Sequence, residues 1–296
     1  MFTGLSAFPL TPIKDGVIDE AAFIRLMERL VVARVDAIGV LGSTGNYAYL
    51  SRSERARAVQ LAVEHAGTVP VMVGISALRT RDVLELAEYA QAAGAHGILL
   101  APMSYQVLSE DEVYGLYAAV TSQLSVPLCV YDNPVTTHFT FTDELHGRIA
   151  TLPNVASIKI PGVPKTLAAA RERVERLKAV VPPRVTIGVS GDAMAARGLN
   201  AGCDAWYSVI GGLFPEIALA ITRAAKTGEG EEAERLADQL QPLWELFSHN
   251  GSLRVVASAA ELLGLIESPS LPLPLKALEG EKRRMLAMTL DELKLA

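Results

Sequence analysis

A chain of 296 residues, half of them hydrophobic, is long enough to bury one large core or two ordinary ones. Its formal net charge of −6 is spread over interspersed acids and bases, and the absence of a basic block or basic–aromatic stripe argues against nucleic acid as a partner. No apolar run reaches membrane-spanning length, and the opening "MFTGLSAFPLTP" lacks a charged segment ahead of a long apolar one, so neither a membrane anchor nor a signal peptide is expected. Cys129 and Cys203 are far apart in apolar surroundings and read as free buried thiols of a cytoplasmic protein.

In chain order, short Val- and Ile-rich runs alternate with amphipathic ones. Strands are expected at 4–10, 37–42, 70–76, 97–102, 127–133, 155–160, 185–190 and 205–210. Their continuous apolar character is that of strands buried on both faces of a parallel sheet. Helices are expected at 19–33, 51–67, 79–94, 109–124, 142–150, 164–180, 192–202 and 213–228. Ser51 with Glu54 reads as a capping box, and Gly94 suits the position just past a helix end. Eight strand–helix units without a dinucleotide glycine motif favour an α/β fold of the (β/α)8 TIM-barrel type over a doubly wound sheet. Helical patterns at 231–248, 251–264 and 279–296, with a proline-rich link at 268–276, follow the last unit. Residues 1–228 are therefore expected to form the barrel, and 229–296 a C-terminal helical extension packed on it.

In such a barrel, functional groups stand at the C-terminal ends of the strands. The sixth run, "VASIKI", places Lys159 among Val155, Ala156, Ile158 and Ile160. Burying an unpaired ammonium costs several kcal/mol, so this lysine is either paired with a carboxylate, turned outward, or used. If used, it is a desolvated amine able to form a Schiff base with a ketone. "GSTGN" at 42–46 is either an ordinary turn or an anion cradle, with Ser43 and Thr44 adding hydroxyls to the backbone N–H groups. Tyr131 is a structural tyrosine or a proton relay working with Ser43. The histidines show no metal-binding spacing and no phosphate loop is present, so neither metal nor organic cofactor is expected.

Taken together, "PLTP", "GSTGN", "PVMVGIS", Pro102, "YDNP", "SIKIPG" and "SGD" resemble the dihydrodipicolinate synthase / N-acetylneuraminate lyase family of class I aldolases, in the family's order and near its spacing. The resemblance covers nearly the whole chain. It implies a (β/α)8 barrel with a helical extension and a homo-oligomer, dimer or tetramer. It also implies a keto acid and an aldehyde as small-molecule partners. Lys159 matches the Schiff-base lysine, Tyr131 the proton-relaying tyrosine, and Ser43 and Thr44 the hydroxyl pair that holds the pyruvate carboxylate. Gly45, Asn46, Tyr105, Thr136, His138, Gly191 and Tyr207 complete the expected substrate-binding set.

Several positions depart from the family pattern. Asn46 stands where a glutamate is usual, and Thr136 stands near the place of an arginine that grips an acidic aldehyde. Ser104 takes the place of a tyrosine lent by a neighbouring subunit, with Tyr105 one residue later. The pyruvate half of the pattern is intact and the electrophile half is rewritten. The expected activity is C–C bond formation or cleavage on pyruvate or a 2-keto acid. A 4-hydroxy-tetrahydrodipicolinate synthase, a keto-deoxy sugar acid dehydratase and a non-catalytic keto-acid binder remain the alternatives.

Overall fold

Short apolar runs flanked by turn residues form strands that pair in parallel. In the computed structural model, which describes residues 1–295, they are β1 (Gly4–Ala7), β2 (Ala37–Val40), β3 (Val71–Gly74) and β4 (Gly97–Leu100). Next come β5 (Leu128–Tyr131), β6 (Val155–Ile160), β7 (Thr186–Val189) and β8 (Ala205–Ser208). Neighbours in sequence are neighbours in space, and β1 pairs with both β2 and β8, so the sheet closes into a parallel barrel. This is the expected (β/α)8 architecture. β6 spans its expected run, and the other seven strands are shorter than the runs that signalled them, because residues such as Phe8, Ile75 and Asp132 lie just past the strands in the loops that carry the site.

Alternation along each strand divides the apolar residues between two interiors. Leu128, Val130, Ile158 and Ile160 pack toward the helices. Cys129, Tyr131, Phe8, Met72, Leu99, Ala205 and Tyr207 fill the barrel itself. The pairing of β5 with β6 shifts register, with Leu128 opposite Val155 but Cys129 opposite Ser157. Ala156 is the extra residue of this bulge, and beyond it Ser157 and Lys159 face inward. A one-residue difference in register would have placed Ile158 in the barrel and Lys159 among the helices.

The surrounding helices are α1 (Glu20–Ala33), α2 (Arg52–His65), α3 (Thr80–Ala92) and α4 (Glu110–Thr121). They continue as α5 (Asp143–Ala150), α6 (Leu167–Val180), α7 (Ala195–Asn200) and α8 (Pro215–Lys226). Complete capping boxes start α2 at Ser51/Glu54 and α4 at Ser109/Glu112. A two-stranded hairpin, Ile13–Lys14 with Val17–Ile18, and a one-turn helix, Pro134–Thr137, were not foreseen. Both are too short to show a hydrophobic period.

The segment expected as one helix at 231–248 is two, α9 (Gly230–Gln239) and α10 (Gln241–Asn250). Pro242 has no N–H to continue the ladder across Leu240. α11 (Ser252–Leu262) and α12 (Gly280–Glu292) follow; the end of the run expected at 279–296, Ala296, lies outside the described residues. Glu261 ties this region together. Its carboxylate accepts from the Ser270 N–H and hydroxyl in the proline-rich link and pairs with Arg283 of α12 at 2.7 Å. Ser270 in turn accepts from the Ile13 N–H of the hairpin. α9 packs on α7 and α8, and we read 229–296 as an extension of the barrel. Among the described residues, no helix is long and apolar enough to cross a membrane.

Candidate active site

The site is built at one level of three adjacent strands. Tyr131 pairs with Lys159, and Lys159 with Gly188. Having no side chain, Gly188 leaves room for the Tyr207 ring, since a Cβ there would lie 2.3 Å from Tyr207 Cε2. Lys159 is 4% exposed. Its Nζ lies 3.9 Å from the centre of the Phe8 ring, 4.1 Å from that of Tyr131 and 5.6 Å from that of Tyr207. Among the described residues no carboxylate forms an ion pair with it. The aromatic faces attract the ammonium, yet burial dominates and pushes its pKa down to about 8, against the weaker pull of Cys129 and Asp192. Roughly a tenth of the amine is then neutral at pH 7.

Tyr131 is buried at the end of β5. Burial raises its phenol pKa, and hydrogen bonding to Ser43 and Asn133 works in the opposite direction. The Asn133 Nδ2 group donates to the phenol oxygen at 2.9 Å. Ser43 thus lies beside the Tyr131 phenol.

The turn carrying Ser43 and Thr44 is held by a close crossing: a Cβ on Gly74 would fall 1.9 Å from the Leu41 carbonyl oxygen. Gly45 is similarly confined, its Cβ position 2.8 Å from the Leu41 nitrogen. Arg55 of α2 is buried beside this turn and donates to the carbonyls of Gly74 and Ser76, both at 3.0 Å. Its pKa falls to about 10, through burial.

The remaining expected residues fall into two groups. Asn46, Gly191 and Tyr207 serve the frame. Asn46 is buried and its Nδ2 donates to the Thr11 carbonyl at 3.2 Å. Tyr207 hydrogen-bonds through its hydroxyl to Ser157 at 2.6 Å, two residues down the strand from Lys159, so its polar end points away from the mouth. Gly191, at φ +83, lets the end of β7 pass close to Pro161, and Asp192 beside it accepts from Trp206, Val209 and Ile210. Tyr105, Thr136 and His138 stand exposed on the loops after β4 and β5, outside the cluster around Lys159.

Sequence reasoning missed Phe8, Arg55 and Asn133. Asn133 alone carried a usable signal: it lies two residues after Tyr131, on the same face of an extended chain. Among the described residues, no group of three or more His, Cys, Asp or Glu is arranged to hold a metal.

The chain and its fold have counterparts among known proteins. The model of the dihydrodipicolinate synthetase family matches residues 1–293. A 4-hydroxy-tetrahydrodipicolinate synthase of Persephonella marina is 30% identical, over 99% of this chain and 98% of its own. The crystal structure of a dihydrodipicolinate synthase from Agrobacterium tumefaciens superposes with a TM-score of 0.94 at 44% identity, covering 99% of this chain and 98% of the other. A putative dihydrodipicolinate synthetase from Pseudomonas aeruginosa gives 0.91 at 31%, covering 99% and 100%.

Proposed function

Because the chain belongs to the dihydrodipicolinate synthetase family and is a lyase of the class I aldolase type, we propose that Lys159 forms an imine with pyruvate or a related 2-keto acid. The neutral amine attacks the ketone, giving a carbinolamine. The Tyr131 phenol gives its proton to the carbinolamine hydroxyl, water leaves, and the nitrogen lone pair closes the C=N bond. The products of that step are an iminium cation and a phenolate. The phenolate then takes a proton from the carbon next to the iminium, which yields the enamine and restores the phenol. Attack of the enamine on an aldehyde makes the C–C bond, and Tyr131 protonates the new alkoxide. Run backward, the same steps cleave it. Ser43 and Thr44 hold the keto-acid carboxylate, and Ser43 passes protons to and from Tyr131.

The observation that carries this reading is Lys159 itself: a buried amine, depressed to about 8, with a phenol beside it and no carboxylate counterion among the described residues. A structural lysine at 4% exposure would be expected to have such a counterion.

The aldehyde is met by Tyr105, Thr136 and His138. The relatives named 4-hydroxy-tetrahydrodipicolinate synthase make that activity the alternative for this chain. We favour a hydroxylated, keto-deoxy sugar acid type of substrate, because 131–139 offers hydroxyls and an imidazole but no guanidinium. The buried free thiols Cys129 and Cys203 fit the cytoplasm. The exposed Tyr105 and Val107 side chains fit a homo-oligomer.

Borohydride trapping with pyruvate, followed by intact-mass measurement and peptide mapping, tests the reading. A reduced adduct on the Lys159 peptide is expected. No adduct with pyruvate or with longer 2-keto acids would leave a binding barrel.

A further inference from the structure

We propose that Asn133 is a positioning residue that sets the direction and the ease of proton transfer by Tyr131; this rests on the imine reading of the site. Asn133 is itself fixed. Its carbonyl accepts from the backbone N–H groups of Thr136 and Thr137 at 3.1 and 3.0 Å, and from the Thr137 hydroxyl at 2.9 Å, so the one-turn helix Pro134–Thr137 locks the backbone from which the amide projects. The amide reaches back across two residues and donates to the phenol oxygen at 2.9 Å. Two consequences follow. With an N–H directed at the oxygen, the phenol hydrogen points elsewhere, toward Ser43 and the reacting carbon. The phenolate formed when the carbinolamine loses water keeps a donor, in a barrel where no bulk water replaces it.

Asn133 also joins two regions. Its side chain serves Tyr131 on the barrel floor, and its carbonyl starts the exposed turn that carries Thr136 and His138. The proton relay and the electrophile rim therefore hang on one residue.

A double-mutant cycle tests this, read on the rate of imine formation from pyruvate by rapid borohydride quench and intact mass. Asn133→Leu keeps the shape and removes the donor. Asn133→Asp keeps the shape and turns the donor into an acceptor. Each is expected to slow imine formation about tenfold with pyruvate KM changed less than about twofold. Tyr131→Phe alone is expected to slow it about a hundredfold. Adding Asn133→Leu to Tyr131→Phe is expected to change nothing more. In Asn133→Leu the alkaline limb of the rate profile moves to higher pH, because a phenol without its donor holds its proton longer.

Full additivity of Asn133→Leu with Tyr131→Phe, or an unslowed Asn133→Leu, overturns the role. If Asn133→Leu does not fold, Asn133→Asp carries the same cycle. Absence of adduct on the wild-type protein overturns the imine reading and this role with it. An adduct on wild type together with an unslowed variant overturns the role of Asn133 alone.

Discussion

The floor of the site and its rim are built by opposite means. On the floor, Lys159, Tyr131, Ser157 and Tyr207 project from paired strands, and Tyr131 and Tyr207 have their hydroxyls engaged. On the rim, Tyr105 is 91% exposed, and Thr136 and His138 sit on a loop with open solvent above them. The steps common to every keto acid need a desolvated amine and a fixed proton donor, which only a packed interior supplies. The choice of aldehyde needs surfaces that can vary without disturbing that interior.

The largest expected effect lies at the centre of the floor. Lys159→Arg keeps a charge but removes the nucleophile, and trapping of pyruvate should vanish; Lys159→Met checks that the barrel still folds without the ammonium. In the wild-type protein the reactive species is the neutral amine, whose pKa is about 8. Trapping rates should therefore fall about tenfold per pH unit below pH 7 and level off above 8. A midpoint near that of an ordinary lysine would mean that water reaches Nζ and that the floor is not sealed.

The second effect separates floor from surface with one chemical change. Gly74→Ala places a Cβ against the Leu41 carbonyl oxygen, and backbone must move. A loss of about 3 kcal/mol or more is expected, with a rise in pyruvate KM as the Ser43–Thr44 turn shifts. Gly115→Ala, in the exposed middle of α4 with open space around it, should stabilise by about 0.5–1 kcal/mol. Thermal melts of the two variants measure the contrast.

How much of this was legible in the sequence follows the same division. The barrel was legible because the strands are short, mostly apolar runs and helices such as α2 and α4 carry explicit start signals. Lys159, Tyr131 and Ser43 stood out as polar groups at strand ends. The roles of Asn46 and Tyr207 were not legible. A side chain's direction depends on which neighbour takes its hydrogen bond, and Thr11 and Ser157 are distant in sequence. The bulge at Ala156, which turns Lys159 inward, arises from pairing with β5 and leaves no mark in "VASIKI" alone.

Just behind the floor, Asp132 and His146 form a buried pair, with Nε2 3.6 Å from Oδ2 and the imidazole stacked on Phe141. Burial pushes Asp132 up to about 7 and His146 down to about 4, while Arg173, itself paired with Asp143, opposes the first shift and adds to the second. The signs differ. For Asp132 the folded state holds the extra proton, so its contribution to stability falls as pH rises from about 4 to 7. For His146 the unfolded state holds it, so its contribution rises with pH from about 4 to 6.5. The two nearly cancel in the wild-type protein. Asp132→Asn removes one side, and its stability should climb between pH 4 and 6.5 as the His146 contribution is unmasked. Its advantage over wild type should reach ~2 kcal/mol above pH 7, after allowance for local relaxation. Denaturant melts across this range measure both curves, and parallel curves would mean that Asp132 is solvated.

The smallest effect on the imine step belongs to the rim, and that smallness is the point. Thr136→Ala, His138→Ala and Tyr105→Phe alter exposed side chains on loops, none of which touches Lys159 or Tyr131. Pyruvate trapping should stay within about twofold of wild type, since each lost group is solvated in the free protein. Aldehyde KM, measured in steady-state turnover with pyruvate and a panel of hydroxylated and acidic aldehydes in the absence of borohydride, should shift by about tenfold for one or more of the three, as loss of one hydrogen bond predicts. A rim variant that slowed trapping itself would join the loop after β5 to the floor, and the natural route is through Asn133, whose carbonyl begins that loop and whose amide ends at the phenol.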